Sequence, residues 1–215
     1  MRAQPSPSPV GAVLLAAGAG RRMGGRPKCL LRRGGETLLA RQLRLLAAAG
    51  VARAAVVLGH HAAPVEAALR QLDAGALALS WVTNPAPDAG PGGSLRLGLG
   101  ELPGDCAAYL VLLADQPLLE AEDIAAVLAA WGTRAPGAQL LVPRHAGAPG
   151  HPIALDAALR REVLAGQGGE GLSAWRRAHA DRVAVLELAH ARCSTDVDTP
   201  EDAARLGLQW GGSRE

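Results

Sequence analysis

The chain contains 215 residues, of which 49% are hydrophobic and 20% are charged, a composition typical of one globular domain. Its net charge of +2 and its 2% of aromatic residues exclude a nucleic-acid-binding surface built from a basic stripe and stacking aromatics. No apolar run reaches the roughly 18 residues of a membrane-spanning helix, so no membrane partner is expected. The three cysteines are far apart and predict neither a disulfide framework nor a CxxC metal site, which indicates a reducing, cytoplasmic location.

The two ends of the chain differ from its centre. Residues 1–9 are rich in Pro and Ser and predict a disordered tail, residues 10–208 predict one domain, and residues 209–215 predict a C-terminal tail. Met1-Arg2 followed by the apolar stretch from Val10 to Ala19 also resembles a secretory signal peptide. A glycine interrupts that stretch and residues suited to ligand binding follow it, so the domain interpretation is favoured.

Short apolar runs alternate with segments of helical spacing along the domain. The predicted strands are Val10–Leu15, Ala54–Leu58, Leu77–Val82, Tyr109–Leu113, Gln139–Val142, Ile153–Leu155 and Val183–Leu188. The predicted helices are Glu36–Ala48, Pro64–Leu72, Ser94–Leu102, Asp123–Trp131, Asp156–Leu164 and Pro200–Leu206, the last with Thr199 as its N-cap.

The predicted strands are apolar throughout rather than alternately apolar and polar, which indicates burial on both faces. Strands that alternate with helices form a mostly parallel sheet between two helical layers, so the pattern predicts a three-layer α/β/α sandwich. Ligands of such folds bind at the carboxyl ends of the strands. We therefore expect the functional residues to follow the predicted strands.

A glycine loop, residues 15–28, follows the first predicted strand. Its glycines allow the backbone to approach a ligand and to turn N–H groups toward an anion, and its basic side chains add positive charge. These features favour a phosphate ligand, although the spacing fits neither the dinucleotide fingerprint nor the P-loop. A flexible surface loop with background arginines is the alternative. Lys28, the only lysine among 22 basic residues, favours the phosphate.

Two acidic motifs carry the other candidate residues. Asp115 follows the predicted strand Tyr109–Leu113, where a carboxylate could hold a divalent cation, and Asp196 and Asp198 precede Thr199-Pro200. Each motif has a structural alternative, because Asp115 could cap a turn and Thr199-Pro200 is a good helix start. Mg²⁺ is commonly bound by one or two carboxylates plus phosphates and waters, which suits two aspartates that meet over a triphosphate.

Together these motifs resemble a known family. The glycine loop is similar to the LxAGxGxRMGxxK motif of the nucleotidyltransferases that include the molybdenum cofactor cytidylyltransferases and guanylyltransferases, with one more residue between Gly24 and Lys28. The segment around Asp115 resembles the DQP motif of that family, and Asp196–Asp202 resembles its DTPED ending. The resemblance covers about residues 10 to 208 and implies a Rossmann-like, GT-A-like nucleotidyltransferase fold.

The resemblance implies roles for individual residues. It assigns catalysis to Arg22, Lys28 and Asp115 and the binding of Mg²⁺ to Asp115 and Asp198, and it leaves Asp196 open. Gly150, His151 and Pro152 resemble a segment on the acceptor side. The nucleotide contacts that it implies are Leu15, Ala16, Ala17, Gly18, Gly20, Arg22, Lys28, Asn84, Gly90, Ser94 and Asp115.

The reaction implied by the resemblance is the transfer of a nucleotide from an NTP to a phosphorylated acceptor, with release of pyrophosphate. Ala17 and Gln116 match the cytidylyl branch, which implies CTP as donor, molybdopterin as acceptor, and a molybdoenzyme or its maturation chaperone as a protein partner. The alternatives are a guanylyltransferase, a sugar- or polyol-phosphate nucleotidyltransferase of the same fold, and a non-catalytic module that binds the cofactor for another enzyme.

Several weaker patterns remain. The pair His60-His61 follows a predicted strand at the ligand edge, but no further ligands at suitable spacing support a zinc site. A lone histidine such as His151 is more often structural than catalytic. Gly166–Gly171 predicts a mobile flap over the acceptor, and Trp175 and Trp210 are expected to pack rather than to bind a cofactor.

Overall fold

Alternate residues of the apolar strands face opposite sides of a central sheet. In β1 (Val10–Ala16), Ala12 and Leu14 join the hydrophobic cluster on one face, and Val13 joins the cluster on the other. This arrangement explains why the strands are apolar at every position. The computed structural model describes residues 9–166 and 171–211. Residues 1–8 of the tail predicted for residues 1–9, residues 167–170 of the predicted flap and residues 212–215 of the predicted C-terminal tail therefore lie outside the described part.

The strands after β1 are β2 (Arg32–Arg33), β3 (Glu36–Thr37), β4 (Arg53–Leu58), β5 (Ala78–Thr83), β6 (Ala108–Leu113), β7 (Leu140–His145), β8 (Ala148–Pro149), β9 (Ile153–Leu155) and β10 (Val183–Glu187). The central sheet contains eight strands within the described residues, in the order β10-β7-β9-β6-β1-β4-β5, with β8 paired to β7. β1 pairs in parallel with β4 and β6, and β9 is antiparallel to both β6 and β7. β2 and β3 form a separate two-stranded sheet.

Helices cover both faces of the central sheet. They are α1 (Leu38–Ala48), α2 (Ala62–Arg70), α3 (Pro91–Gly100), α4 (Ala121–Gly132), α5 (Ala157–Ala165), α6 (Leu172–Ala178) and α7 (Pro200–Arg205). α1, α2 and α4 contribute leucines and valines to the cluster that contains Leu14, whereas α3, α5 and α6 contribute to the cluster that contains Val13. The predicted three-layer α/β/α fold with a mostly parallel sheet is therefore confirmed. Within the described ranges, none of the helices has the length and apolar character needed to cross a bilayer.

Five of the six predicted helices, α1 to α5, begin one to three residues from the predicted position, and the shifts of α1 and α3 have a clear local cause. α1 starts at Leu38 rather than Glu36, because Glu36 and Thr37 pair with β2 and the Thr37 hydroxyl accepts the N-cap hydrogen bond from Ala40 N at 3.2 Å. α3 starts at Pro91 rather than near Ser94, since Pro is well suited to a first helical turn. α6 was not predicted, and it begins directly after the Gly-rich segment that was taken as a flap.

Residues 209–211, which we assigned to a C-terminal tail, lie against the domain. The backbone N–H and C=O of Gln209 exchange hydrogen bonds with Arg32 at 3.0 and 2.7 Å. The guanidinium of Arg26 lies 3.8 Å from the centre of the Trp210 ring. These contacts attach Gln209 and Trp210 to the glycine loop and to the residues that follow it.

Candidate active site

A cleft of about 330 Å³ opens at the carboxyl ends of β1 and β6, the edge at which sheets of this kind bind ligands. The glycine loop forms most of its wall. The predicted nucleotide-binding residues that line it are Leu15, Ala16, Gly18, Gly20, Arg22, Lys28 and Asp115, and they are joined by Ala19, Arg21, Pro27, Cys29 and Ala114.

The backbone of the glycine loop folds back on itself at Gly20. Met23 and Gly25 donate hydrogen bonds from their N–H groups to the Gly20 carbonyl, at 2.8 and 3.0 Å. Gly20 has a φ of 60°, and a Cβ atom there would lie only 2.1 Å from the carbonyl oxygen of Arg26. A residue with a side chain therefore cannot replace Gly20 without moving the backbone of the loop.

Lys28 connects the two acidic motifs. Its Nζ donates hydrogen bonds to Asp115 Oδ2 at 3.3 Å and to Asp198 Oδ1 at 2.5 Å. Arg22 donates to the second oxygen of Asp198 at 2.7 Å. The structure thus brings together, at one side of the cleft, the four side chains to which the sequence assigned catalysis and metal binding.

The electrostatics of this cluster keep Lys28 charged. Burial alone would lower the pKa of Lys28, but the hydrogen bond to Asp198 and the charge of Asp115 outweigh burial and raise that pKa. The hydrogen bond from Lys28 lowers the pKa of Asp198, and burial raises the pKa of Asp115. A permanent ammonium group beside the glycine loop suits the recognition of phosphate.

The helix-start interpretation of the second acidic motif is compatible with this geometry. Thr199 Oγ1 accepts from Asp202 N at 3.2 Å, and Asp202 Oδ2 accepts from Thr199 N at 3.1 Å, which forms a capping box at the start of α7. Asp202 Oδ2 also accepts from Asp198 N at 3.2 Å. The cap therefore uses the backbone of Asp198, and the carboxylate of Asp198 faces Lys28 and Arg22.

Gln116 connects the acidic motifs on the side away from the cleft. Its side chain is buried, and its Nε2 donates to Asp196 Oδ1 at 3.0 Å and to the Cys193 carbonyl at 2.8 Å. Val197 N donates to the Asp115 carbonyl at 3.0 Å. Sequence reasoning used Gln116 only as a mark of the cytidylyl branch and missed this bracing contact, which a buried position after a strand could have suggested.

Four predicted nucleotide-binding residues lie away from the wall of the cleft. Ala17 turns its carbonyl toward His60, whose backbone N lies 3.4 Å from it. Asn84 and Ser94 are both buried and bond to each other, from Asn84 Nδ2 to Ser94 Oγ at 2.9 Å. Gly90, with a φ of 117°, precedes the first turn of α3. Asn84 and Ser94 therefore fasten β5 to α3.

Of the three predicted acceptor-side residues, Gly150 and His151 line a second cavity of about 210 Å³, which shares Leu15 with the cleft. Pro152 is buried and is not part of that lining. Burial of the imidazole ring lowers the pKa of His151 to about 4, and the positive charge of Arg176 also lowers this pKa. Arg176, on the unpredicted helix α6, was missed by sequence reasoning. Most of the lining is apolar, namely Leu15, Pro91, Leu95, Val111, Leu113, Pro149, Ile153 and Leu172, with His151, Ser173 and Arg176 as the polar members.

The residues present fit a divalent cation held partly by a substrate. Asp115 and Asp198 offer carboxylate oxygens, and both already contact one shared cation, the ammonium of Lys28. In the described part of the chain, no three His, Cys, Asp or Glu side chains are grouped so that they could hold a metal by themselves. Two carboxylates completed by phosphate oxygens and water are the usual arrangement for Mg²⁺.

Comparisons with known proteins agree with this geometry. Residues 12–183 match the MobA-like NTP transferase domain. The chain is 32% identical to nicotine blue oxidoreductase of Paenarthrobacter nicotinovorans over 204 residues, which cover 90% of this chain and 94% of that protein. It is 41% identical over 124 residues to the bifunctional protein GlmU of Polaromonas naphthalenivorans, over 56% of this chain but only 26% of that protein.

A similar solved structure is that of Rv0371c from Mycobacterium tuberculosis H37Rv, with a TM-score of 0.74 and 26% identity, over 94% of this chain and 98% of the other. A complex of Rv0371c with manganese is also similar, with a TM-score of 0.70. The match over residues 12–183 spans most of the chain and includes the glycine loop and Asp115. The chain therefore belongs to the MobA-like NTP transferase family.

Proposed function

We propose that the protein transfers CMP from CTP to the phosphate of molybdopterin, with release of pyrophosphate, in the cytoplasm. The observation that carries the transferase chemistry is the contact of Lys28 Nζ with both Asp115 and Asp198 at the edge of the glycine loop. This contact joins three motifs that the family resemblance assigned to one reaction centre.

The roles that we propose for the residues of the cleft follow from charge and alignment. Arg22, Lys28 and the N–H groups of the glycine loop would bind the triphosphate and stabilise the leaving pyrophosphate. A phosphate monoester is largely ionised at pH 7, so the acceptor needs no base to activate its oxygen. Asp115 and Asp198 would hold Mg²⁺, which when bound neutralises phosphate charge. Catalysis then consists mainly of aligning the acceptor oxygen with the α-phosphate.

The acceptor class is supported by the second cavity. Eight of its lining residues are apolar, and its polar members are few, including the cation Arg176. The flat faces of a heterocycle can pack against such a lining while Arg176 pairs with its phosphate, whereas a sugar or polyol offers no flat face to the lining. This lining supports molybdopterin over the sugar- or polyol-phosphate acceptors of the same fold.

The choice of CTP rests on Ala17 and Gln116, which match the cytidylyl branch. Because neither residue lines the cleft, this support comes from the resemblance and not from a contact with the base. A guanylyltransferase is the first alternative. A non-catalytic carrier of the cofactor is disfavoured because Lys28, Asp115 and Asp198 are all present and in contact.

A second candidate function comes from one relative. The name of the Paenarthrobacter protein describes an oxidoreductase that acts on nicotine blue, and that protein matches 90% of this chain. The apolar second cavity also suits a flat coloured substrate. Loss of the nicotine blue absorbance that requires both the protein and an added two-electron donor, such as a reduced nicotinamide nucleotide, would favour this candidate.

The decisive experiment measures pyrophosphate release with each of the four NTPs, with Mg²⁺, and with molybdopterin, N-acetylglucosamine 1-phosphate or inositol 1-phosphate as acceptor. We expect release with CTP and molybdopterin and little with the other pairs. A preference for GTP would contradict CTP as the donor, and turnover with a sugar phosphate would contradict molybdopterin as the acceptor. Tight binding of molybdopterin without release of pyrophosphate would favour the non-catalytic carrier.

A further inference from the structure

The outer side of the glycine loop, away from the cleft, is held by two histidines that no part of the proposed reaction uses. His60 and His61 belong to the turn between β4 and α2. His60 Nδ1 lies 3.1 Å from the Ala17 carbonyl oxygen, and His61 Nε2 lies 2.9 Å from the Ala19 carbonyl oxygen. Two carbonyl groups of the loop therefore point at imidazole rings on this side.

The turn between β4 and α2 lies so close to the glycine loop that Gly59, the residue before His60, leaves no room for a side chain. A Cβ atom on Gly59 would lie 2.5 Å from the Ala17 carbonyl oxygen. The backbone N of His60 also donates to that oxygen at 3.4 Å. Gly59, His60 and His61 thus form a contact surface that we call the loop brace.

The ring of His60 has a second partner. Its Nε2 lies 3.0 Å from Asp88 Oδ2, in the segment between β5 and α3. The other oxygen of Asp88 accepts from Arg21 of the glycine loop at 2.8 Å. His60 and Asp88 therefore link the turn after β4, the glycine loop and the segment after β5.

The partners of His60 determine its charge. A backbone carbonyl and a carboxylate can only accept hydrogen bonds, so both ring nitrogens of His60 must carry hydrogen for the two contacts to form. An imidazole with two N–H groups is an imidazolium ion. Among the described residues, the charged groups that face the ring are Asp88, which favours this ion, and Arg21, which opposes it.

We propose that His60 is a positioning residue that, as an imidazolium ion, holds the glycine loop in its nucleotide-binding shape. By holding the carbonyls of Ala17 and Ala19 on the outer side, the loop brace leaves neighbouring loop N–H groups to face the phosphates. The hydrogen bond to the Ala17 carbonyl and the contact with Asp88 raise the pKa of His60, in agreement with this charge. The inference rests on the proposed role of the glycine loop as the nucleotide site.

Because the ring is 26% exposed and Asp88 is 68% exposed, the effect on nucleotide affinity is modest. Loss of the second ring proton removes one of the two contacts. We therefore expect CTP affinity to fall roughly threefold as the pH rises through the raised pKa of His60, the scale of an exposed charged contact. His60→Gln should weaken CTP binding by a similar factor at pH 7.5 and should remove this pH dependence.

The first measurement is the charge state of His60 in the wild-type protein, from long-range ¹H–¹⁵N correlation spectra of its imidazole rings over pH 6 to 9. We expect both ring nitrogens of His60 to be protonated at pH 7, and Asp88→Asn to shift the midpoint of titration to lower pH. A midpoint at or below 6.5, the value of an unperturbed histidine, would overturn the proposal.

The second measurement is hydrogen exchange of the backbone amides of residues 18–25. His60→Gln should accelerate their exchange, whereas His145→Gln serves as the matched control, because His145 also bonds to a backbone carbonyl, that of Leu188, but outside the glycine loop. Unchanged exchange in His60→Gln would overturn the positioning role. If the loop loosens as expected but the wild type binds no NTP, the proposed function fails and the loop brace stands.

Discussion

Lys28 Nζ and Asp198 Oδ1 lie 2.5 Å apart, and the same Nζ contacts Asp115. One ammonium group of the glycine loop therefore lies between the two carboxylates to which we assign metal binding and offsets part of their negative charge. Its position has consequences both for the reaction and for the affinity of the site for a metal, and the two can be measured separately.

Removing this charge should abolish most of the activity. We expect Lys28→Ala and Asp115→Ala each to lower the rate of pyrophosphate release by roughly 100-fold or more, the scale of losing one preorganised charged contact. Arg161→Ala, on the exposed surface of α5, is the matched control for loss of a positive charge and should keep wild-type activity. Full activity in a folded Lys28→Ala or Asp115→Ala protein would contradict the assignment of the site.

Removing Lys28 should also strengthen metal binding when no nucleotide is present. Because the ammonium competes with a divalent cation for Asp115 and Asp198, Lys28→Met should bind Mn²⁺ about tenfold more tightly than the wild type, within the usual range of coupling between two ligands. Titration of Mn²⁺ followed by electron paramagnetic resonance measures this directly. Arg21→Met is the control, since Arg21 pairs with Asp88 and not with the two metal-site carboxylates. Equal or weaker Mn²⁺ binding by Lys28→Met would mean that the lysine does not compete.

The turn at Gly20 should be the most sensitive point of the loop to a methyl group. Gly20→Ala combines a positive φ with a Cβ only 2.1 Å from a carbonyl oxygen, so we expect a loss of about 2 to 4 kcal/mol in the free energy of unfolding. Gly24→Ala is the comparison, because Gly24 has a φ of 70° but open space around its Cβ position, and it should cost about 1 kcal/mol. Urea denaturation measures the free energy of unfolding of both variants. Equal losses of stability would show that the loop moves easily to relieve the contact with the Arg26 carbonyl.

Acid should destabilise the protein through His151. Its pKa is lowered to about 4 in the folded protein, whereas an unfolded histidine has a value near 6.5, so the unfolded state binds more protons between these limits. Stability contributed by the neutral ring is complete above pH 6.5 and is lost as the pH falls toward 4. His151→Gln should flatten the difference in unfolding free energy between pH 7 and pH 5, measured by urea denaturation at both pH values. A pH dependence identical in wild type and His151→Gln would contradict this account.

Periodicity and motif spacing predict most of the fold and part of the candidate site. The apolar strands predict the layered sheet because each residue faces one of two cores, and motifs that follow strands must meet at one edge. The contact of Lys28 with both carboxylates depends on how three loops pack and cannot be derived from spacing. The same holds for the bond between Asn84 and Ser94, since a polar residue in a Gly-rich segment can face a ligand or fasten two elements. α6 was not predicted because a helix of only seven residues is too short to show a clear helical spacing of apolar residues.

The direction of β9 has a consequence for how acceptor specificity could differ between related enzymes. β9 runs opposite to β6, with Ile153 opposite Val111 and Leu155 opposite Tyr109. The residues that enter β9, Gly150 to Pro152, consequently arrive at the sheet edge where β6 departs toward Asp115. In the reaction that we propose, each substrate would thus have its own chain connection, one that leaves a strand and one that approaches a strand. Changes in length or sequence before β9 could alter acceptor choice while the phosphate-binding half keeps its geometry.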